Sequence, residues 1–192
     1  MKKQVGALIK MKNKMLIFFI VLLLLLSCAD TKIMAGEVKE YAVKAAFVFN
    51  FTKFIHWPEN SFKNNKSSYH LCFIGNNTVA REFNKLNGKY NGRKMIDVHR
   101  LSPDEKCRKC DIIFISRDMN RMAVKKIISR LKGKPVLTIG ETEEFTKLGG
   151  VISFFIENDR LHFKINISAA EKQGLKFSSR LLRLAVIVDG SK

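Results

Sequence analysis

Apolar and polar positions along this chain fall into an apolar leader and then alternating helical and strand periods. The leader has a basic start, an unbroken apolar run from Met15 to Leu26, and then the small and polar stretch Ser27-Cys28-Ala29-Asp30. That is the layout of a bacterial secretory signal. The run is shorter than the roughly 20 apolar residues a membrane span needs, so removal or lipid anchoring is expected. Two processing outcomes stay open. Leu25-Leu26-Ser27-Cys28 resembles a lipobox with Cys28 as the acylated residue, and Ile33-Met34-Ala35 offers a soluble-type cleavage point. Residues 1–35 are therefore read as the signal and residues 36–192 as one α/β domain, exported to the periplasm and membrane-associated only if lipidated.

From Glu40 to Trp57 the pattern predicts a helix stopped by Pro58. Its apolar residues spread over more than one face, so it is either deeply buried or lends a face to a partner. A strand is expected over Tyr69 to Ile74 and a short helix over Thr78 to Leu86, with Asn76 and Asn77 as cap candidates and Asn87-Gly88 at its end. Strands follow over Lys94 to His99 and Asp111 to Ile115. Asn120 to Leu131 reads as an amphipathic helix with Met122, Val124, Ile127, Ile128 and Leu131 inward. Val136 to Ile139 is a short buried strand. Val151 to Ile156 and Leu161 to Ile167, separated by Glu157-Asn158-Asp159-Arg160, carry a hairpin signal. Ala169 to Val188 reads as mostly helical, broken near Gly174. This alternation predicts a three-layer α/β/α domain, Rossmann-like, with a largely parallel sheet and an antiparallel edge hairpin.

Charge narrows the partners. The chain has 35 Lys and Arg against 17 Asp and Glu; residues 36–192 keep 29 and 16 of them, a net +13. A basic surface attracts nucleic acid, anionic lipid or acidic protein, and export leaves the last two in play, with no nucleic acid expected. In a parallel sheet, ligands bind beyond the carboxyl ends of the strands, here the loops after Ile74, Ile115 and Ile139. Those loops carry little chemistry. Gly75-Asn76-Asn77-Thr78 has one glycine where a dinucleotide fingerprint needs three. Ser116 has neither a neighbouring histidine nor the glycines of a nucleophile elbow. The four histidines, His56, His70, His99 and His162, form no close ligand spacing. No catalytic residue, metal centre or cofactor is expected. A solute- or envelope-binding protein for an anionic ligand, and an enzyme whose triad assembles only in three dimensions, are the other classes the pattern leaves standing.

Cys107-Arg108-Lys109-Cys110 matches Cys-x-x-Cys but precedes a strand instead of opening a helix, the wrong context for a thioredoxin-like site. With Cys28 lipidated or removed, Cys72, Cys107 and Cys110 remain. Cys72 lies in the first strand of the domain and Cys110 opens a strand able to neighbour it. A Cys72–Cys110 bridge is the favoured reading, with Cys107 a spare thiol able to exchange with it; three reduced cysteines are the alternative.

The motifs together resemble one family. They are Tyr41-Ala42-Val43-Lys44-Ala45-Ala46-Phe47-Val48-Phe49-Asn50-Phe51-Thr52-Lys53-Phe54-Ile55-His56-Trp57-Pro58, then Leu86-Asn87-Gly88, Gly92-Arg93 and Cys110-Asp111-Ile112-Ile113-Phe114-Ile115. Val136-Leu137-Thr138-Ile139-Gly140, Phe145, Gly149-Gly150-Val151-Ile152, Phe163-Lys164-Ile165-Asn166 and Ser178-Ser179-Arg180-Leu181-Leu182-Arg183-Leu184-Ala185 follow in order. This series resembles the YfiR family of periplasmic regulators. The resemblance implies a non-enzymatic repressor, often a homodimer, that binds the periplasmic domain of a membrane-bound diguanylate cyclase, lowers cyclic di-GMP and restrains biofilm, with disulfides as redox-responsive elements. Cys72 and Cys110 match family cysteine positions. The second cysteine pair of some members, flanking the Gly-Gly turn, is replaced here by Phe145, Ile152 and Ser153. Phe51, Lys53, Phe54 and Trp57, with Arg180 and Arg183, are the expected partner or dimer surface.

Overall fold

The computed structural model describes residues 29–62, 67–105, 107 and 109–189, leaving aside the side chains of residues 29–35, 60 and 62. The apolar leader, Cys28 and the Ile33-Met34-Ala35 side chains lie outside the described residues. Contacts divide the chain into residues up to Lys39 and a unit from Glu40 onward. No helix among the described residues is long and apolar enough to cross a membrane.

The first helix, α1, spans Ala29–Phe51, so it starts earlier and ends six residues sooner than the expected Glu40 to Trp57. After Phe51 the backbone turns through Lys53 and Phe54, whose amides bond to Asn50 and Phe51 carbonyls, and Ile55–His56 becomes strand β1. The helix stops well before Pro58, because Ile55 and His56 pair antiparallel with β9 (Lys176–Phe177). From Glu40 onward α1 buries Tyr41, Ala45, Val48 and Phe51, the i, i+4, i+7 spacing of one helix face. The opposite side shows Ala42, Val43, Ala46 and Asn50 to solvent. The helix distinguishes its faces by side-chain size more than by polarity, which is why its pattern read as apolar all round.

The main sheet is assembled from β2 (Ser68–Ile74), β3 (Tyr90–Asn91), β4 (Lys94–Arg100), β5 (Ile112–Ile115), β6 (Leu137–Gly140), β7 (Ile152–Glu157), β8 (Arg160–Asn166) and β10 (Val186–Val188). Their order is β10-β8-β7-β6-β5-β2-β4-β3. The run β4-β2-β5-β6-β7 is parallel, whereas β3–β4 and β7–β8 are antiparallel. The fold is the α/β class the alternation predicts. The β7–β8 hairpin turns at Asn158 and Asp159, both with positive φ (49° and 58°), as a tight two-residue hairpin requires. It stands one strand inside the sheet's end, because β10 pairs in parallel with β8 beyond it.

Two apolar layers sandwich the sheet. Leu71, Phe73, Ile112, Phe114, Leu137 and Ile139 face α1 and the helix α2 (Asn77–Asn84). The alternate residues Cys72, Ile74, Ile113 and Ile115 face α3 (Arg121–Leu131). Asn76 and Asn120 cap these two helices through their side-chain oxygens. On α3, Val124, Ile127, Ile128 and Leu131 are buried as expected, but Met122 is 74% exposed; it sits in the first turn, ahead of the apolar stripe. The C-terminal segment breaks into α4 (Ile167–Lys172), β9, α5 (Ser179–Leu182) and β10. It is not mostly helical: Gly174, at φ +70°, ends α4, and the Val186–Val188 run is β-branched and joins the sheet.

Candidate functional site

The period-2 alternation of a strand places His70 and Cys72 of β2 on one face, and Asp97 and His99 of β4 on the same face. The register sets His70 opposite Asp97 and Cys72 opposite His99. On the other side of β2, the Asp111 N–H donates to the His70 carbonyl at 2.9 Å, and the Asp111 carboxylate accepts from the His70 N–H at 2.8 Å. That pairing seats Cys110 next to Cys72, with Cα atoms 5.7 Å apart. Cys107 also lies with its Cα 5.7 Å from that of Cys110. Both separations fall in the range a disulfide accepts. The Cys110 sulfur meets the other two sulfurs, and one sulfur forms one disulfide at a time. Cys72 and Cys110 are buried, while Cys107 is half-buried and the most solvent-accessible of the three.

The fold also brings together two histidines that stand 29 positions apart in sequence. Asp97 Oδ2 lies 3.1 Å from His70 Nδ1 and 3.0 Å from His99 Nε2, and the rings of the two histidines are 5.8 Å apart, centre to centre. An open cavity of about 680 Å³ is lined by these three residues together with Cys72, Cys110, Arg100, Glu105 and Lys109. A second, of about 670 Å³, is bordered by His70, Cys107, Cys110 and Asp111 and by Arg130 and Lys134 near the end of α3. Asp97 was not singled out from the pattern. The signal was its i, i+2 spacing to His99 on a predicted strand, which guarantees a shared face.

The carboxyl ends of β5 and β6 hold a different arrangement. Lys44 of α1 is 2% exposed and pairs with both Glu40 and Glu141. Tyr41 donates to Glu141 at 3.1 Å, and the Arg117 N–H donates to the same carboxylate at 2.8 Å. Burial, reinforced by the Glu141 charge, pushes the Tyr41 phenol well above its ordinary range. Burial, and then Asp111, pushes Tyr69 up as well. Ser116 donates to Asp118, and no described hydrogen bond joins it to a histidine. A charged, hydrogen-bonded plug from α1 therefore covers the carboxyl ends of β5 and β6, while an open cavity of about 420 Å³ lies at the ends of β2 and β4, beside Gly75, Arg100 and Asp118.

The residues expected to form a partner surface divide. Phe51 is 2% exposed and packs against Phe154 and Phe163 at ring separations of 5.9 and 5.1 Å, so it belongs to the core and not to a surface. Phe54 and Trp57 are half-buried, and Trp57 packs on Tyr69 at 5.3 Å. Lys53, Arg180 and Arg183 are exposed. The β1–β9 pairing and the Ser178 N–H bond to the Phe54 carbonyl, 2.8 Å, draw Phe54 toward α5, which carries Arg180 and is followed by Arg183. Phe145, where some relatives are expected to carry a cysteine, is 1% exposed and wedged against Gly140 and Gly150, either of which would clash with it if given a Cβ. Packing occupies the place of the second bridge.

Comparison with curated proteins gives no match. A family model described as YfiR/HmsC-like matches residues 41–186, an interval that runs from Tyr41 in α1 to the first residue of β10 and takes in all three clustered cysteines. The chain belongs to the YfiR/HmsC-like family.

Proposed function

We propose that this protein is a periplasmic repressor that binds the periplasmic domain of an inner-membrane diguanylate cyclase and holds the enzyme inactive. The observation that carries the reading is the family match over residues 41–186, since that family suggests a periplasmic regulator of cyclic di-GMP signalling and is regulatory in character, not catalytic. The Lys44–Tyr41–Glu141 cluster packed over the carboxyl ends of β5 and β6 suits a binding protein. Lys53, Phe54, Trp57, Arg180 and Arg183 are the contact surface in this reading, with Phe51 supporting it from beneath.

The redox element is the Cys72–Cys110 bridge, which ties β2 to the start of β5. Cys107 is its exchange partner. Its thiolate attacks the Cys110 sulfur, a Cys107–Cys110 bond forms, the Cys72–Cys110 bond breaks and Cys72 leaves as the thiolate, so no external oxidant is consumed. The test is the intracellular cyclic di-GMP level in a parent strain and in one lacking the gene, complemented with the intact gene or with Cys72→Ser/Cys110→Ser. A rise on deletion, reversed by the intact gene and poorly by the variant, is the expected result. An unchanged level across growth conditions would remove the cyclase from the account.

A further inference from the structure

We infer that His70, Asp97 and His99 form a binding site for a divalent transition-metal ion of the Zn²⁺ or Cu²⁺ type. The three donor atoms, His70 Nδ1, Asp97 Oδ2 and His99 Nε2, all lie within 4.8 Å of one another. In a tetrahedral zinc site, ligand bonds near 2.0–2.1 Å put neighbouring donors about 3.3 Å apart. The carboxylate oxygen is 3.1 and 3.0 Å from the two imidazole nitrogens, so small side-chain rotations seat an ion among the three. Two imidazoles and a carboxylate are the donor set that zinc and copper(II) favour over magnesium or calcium. Three protein ligands leave outer positions open to water or a small anion.

The backbone holds the site. His70 and Asp97 are register partners on adjacent parallel strands, and His99 follows Asp97 on the same face. His70 is fixed further by the two hydrogen bonds its backbone makes with Asp111. The side chains are 17%, 34% and 50% exposed for His70, Asp97 and His99, which gives an ion an entry path from the open cavity they line. Of the two cations that line this cavity, Arg100 is engaged by the Gly75 carbonyl at 2.8 Å and the Asn77 side chain at 3.2 Å, and Lys109 shares the lining with the Glu105 and Asp97 carboxylates. On a chain with formal charge +18, the site sets a carboxylate between two imidazoles. The site uses none of the sulfurs, so it is available while Cys110 is in a disulfide.

The test is calorimetric titration of Zn²⁺ into the purified, untagged protein with Cys110 in a disulfide, in a buffer that does not bind metal. One ion per chain, lost or weakened at least tenfold in Asp97→Asn and in His99→Ala but retained in His162→Ala, is the expected result. Circular dichroism and thermal melts of the variants without metal verify that they are folded. Co²⁺ substitution adds a second readout: its visible bands appear without thiolate charge transfer. Absence of stoichiometric binding overturns the proposal. So does binding that survives Asp97→Asn and His99→Ala but disappears when the thiols are reduced and alkylated, because that assigns the ion to the cysteines.

Discussion

At the scale of single residues, burial and hydrogen bonding decide which groups matter. Tyr41 was legible as part of a family-like helix motif but not as a buried phenol, because its partner Glu141 lies a hundred positions away. Its proton is held more tightly in the folded chain than in the unfolded one, whose phenol titrates near 10.0. The unfolded chain therefore releases that proton first as pH rises, so the Tyr41 contribution is complete below about pH 10 and is lost above it. Thermal unfolding followed from pH 8 to 11.5 should show a steeper alkaline decline in the parent protein than in Tyr41→Phe. Equal slopes would mean that the phenol is not protected. Lys44, its neighbour, shows the same limit on sequence reading: a lysine inside an apolar helix run looks like a solvent-facing interruption until Glu40 and Glu141 are seen around it.

At the scale of elements, the turns explain where the helical and strand periods misled. Gly174 and Gly88 both adopt left-handed backbone, at φ +70° and +76°. Only at Gly174 would an added Cβ also meet a neighbour, the Pro58 ring, at 2.8 Å, whereas the space at Gly88 is open. Gly174→Ala should then destabilise by about 1–3 kcal/mol and more than Gly88→Ala, read as the difference between their melting temperatures; equal losses would show that the approach to Pro58 is not tight. The same contact accounts for the segment after Ala169. Its apolar residues suit a helix, yet the chain must turn at Gly174 to lay Lys176–Phe177 along Ile55–His56. By contrast the bounds of α3 were legible almost to the residue, since an apolar stripe at helical spacing is a local signal; Met122 alone was misplaced on it.

At the scale of the whole molecule, the basic charge is the property most directly inherited from composition. Under the repressor reading, Arg180 and Arg183 steer an acidic partner toward the surface that includes Phe54 and Trp57. Arg180→Glu/Arg183→Glu should slow association with the cyclase's periplasmic domain several-fold at low salt and reduce its salt dependence, leaving the dissociation rate nearly unchanged. Surface plasmon resonance at two ionic strengths measures this. A changed dissociation rate with unaltered association would place these arginines inside the contact and not at its rim.

The linear chain by itself determined the α/β class, the positions of most parallel strands, the asparagine cap at Asn76 and the family motifs, because each depends on local periodicity, turn chemistry or an uninterrupted series of residues. Tertiary structure decided what no local window contains. It placed Phe51 in the core by wrapping α1 against β7 and β8. It also gathered Cys72, Cys107 and Cys110 around one sulfur and joined His70 to Asp97 and His99. The physical reason is strand register: side chains far apart in sequence become neighbours only once hydrogen bonding between strands sets which residue faces which, and that choice is made by the packing of both sheet faces together.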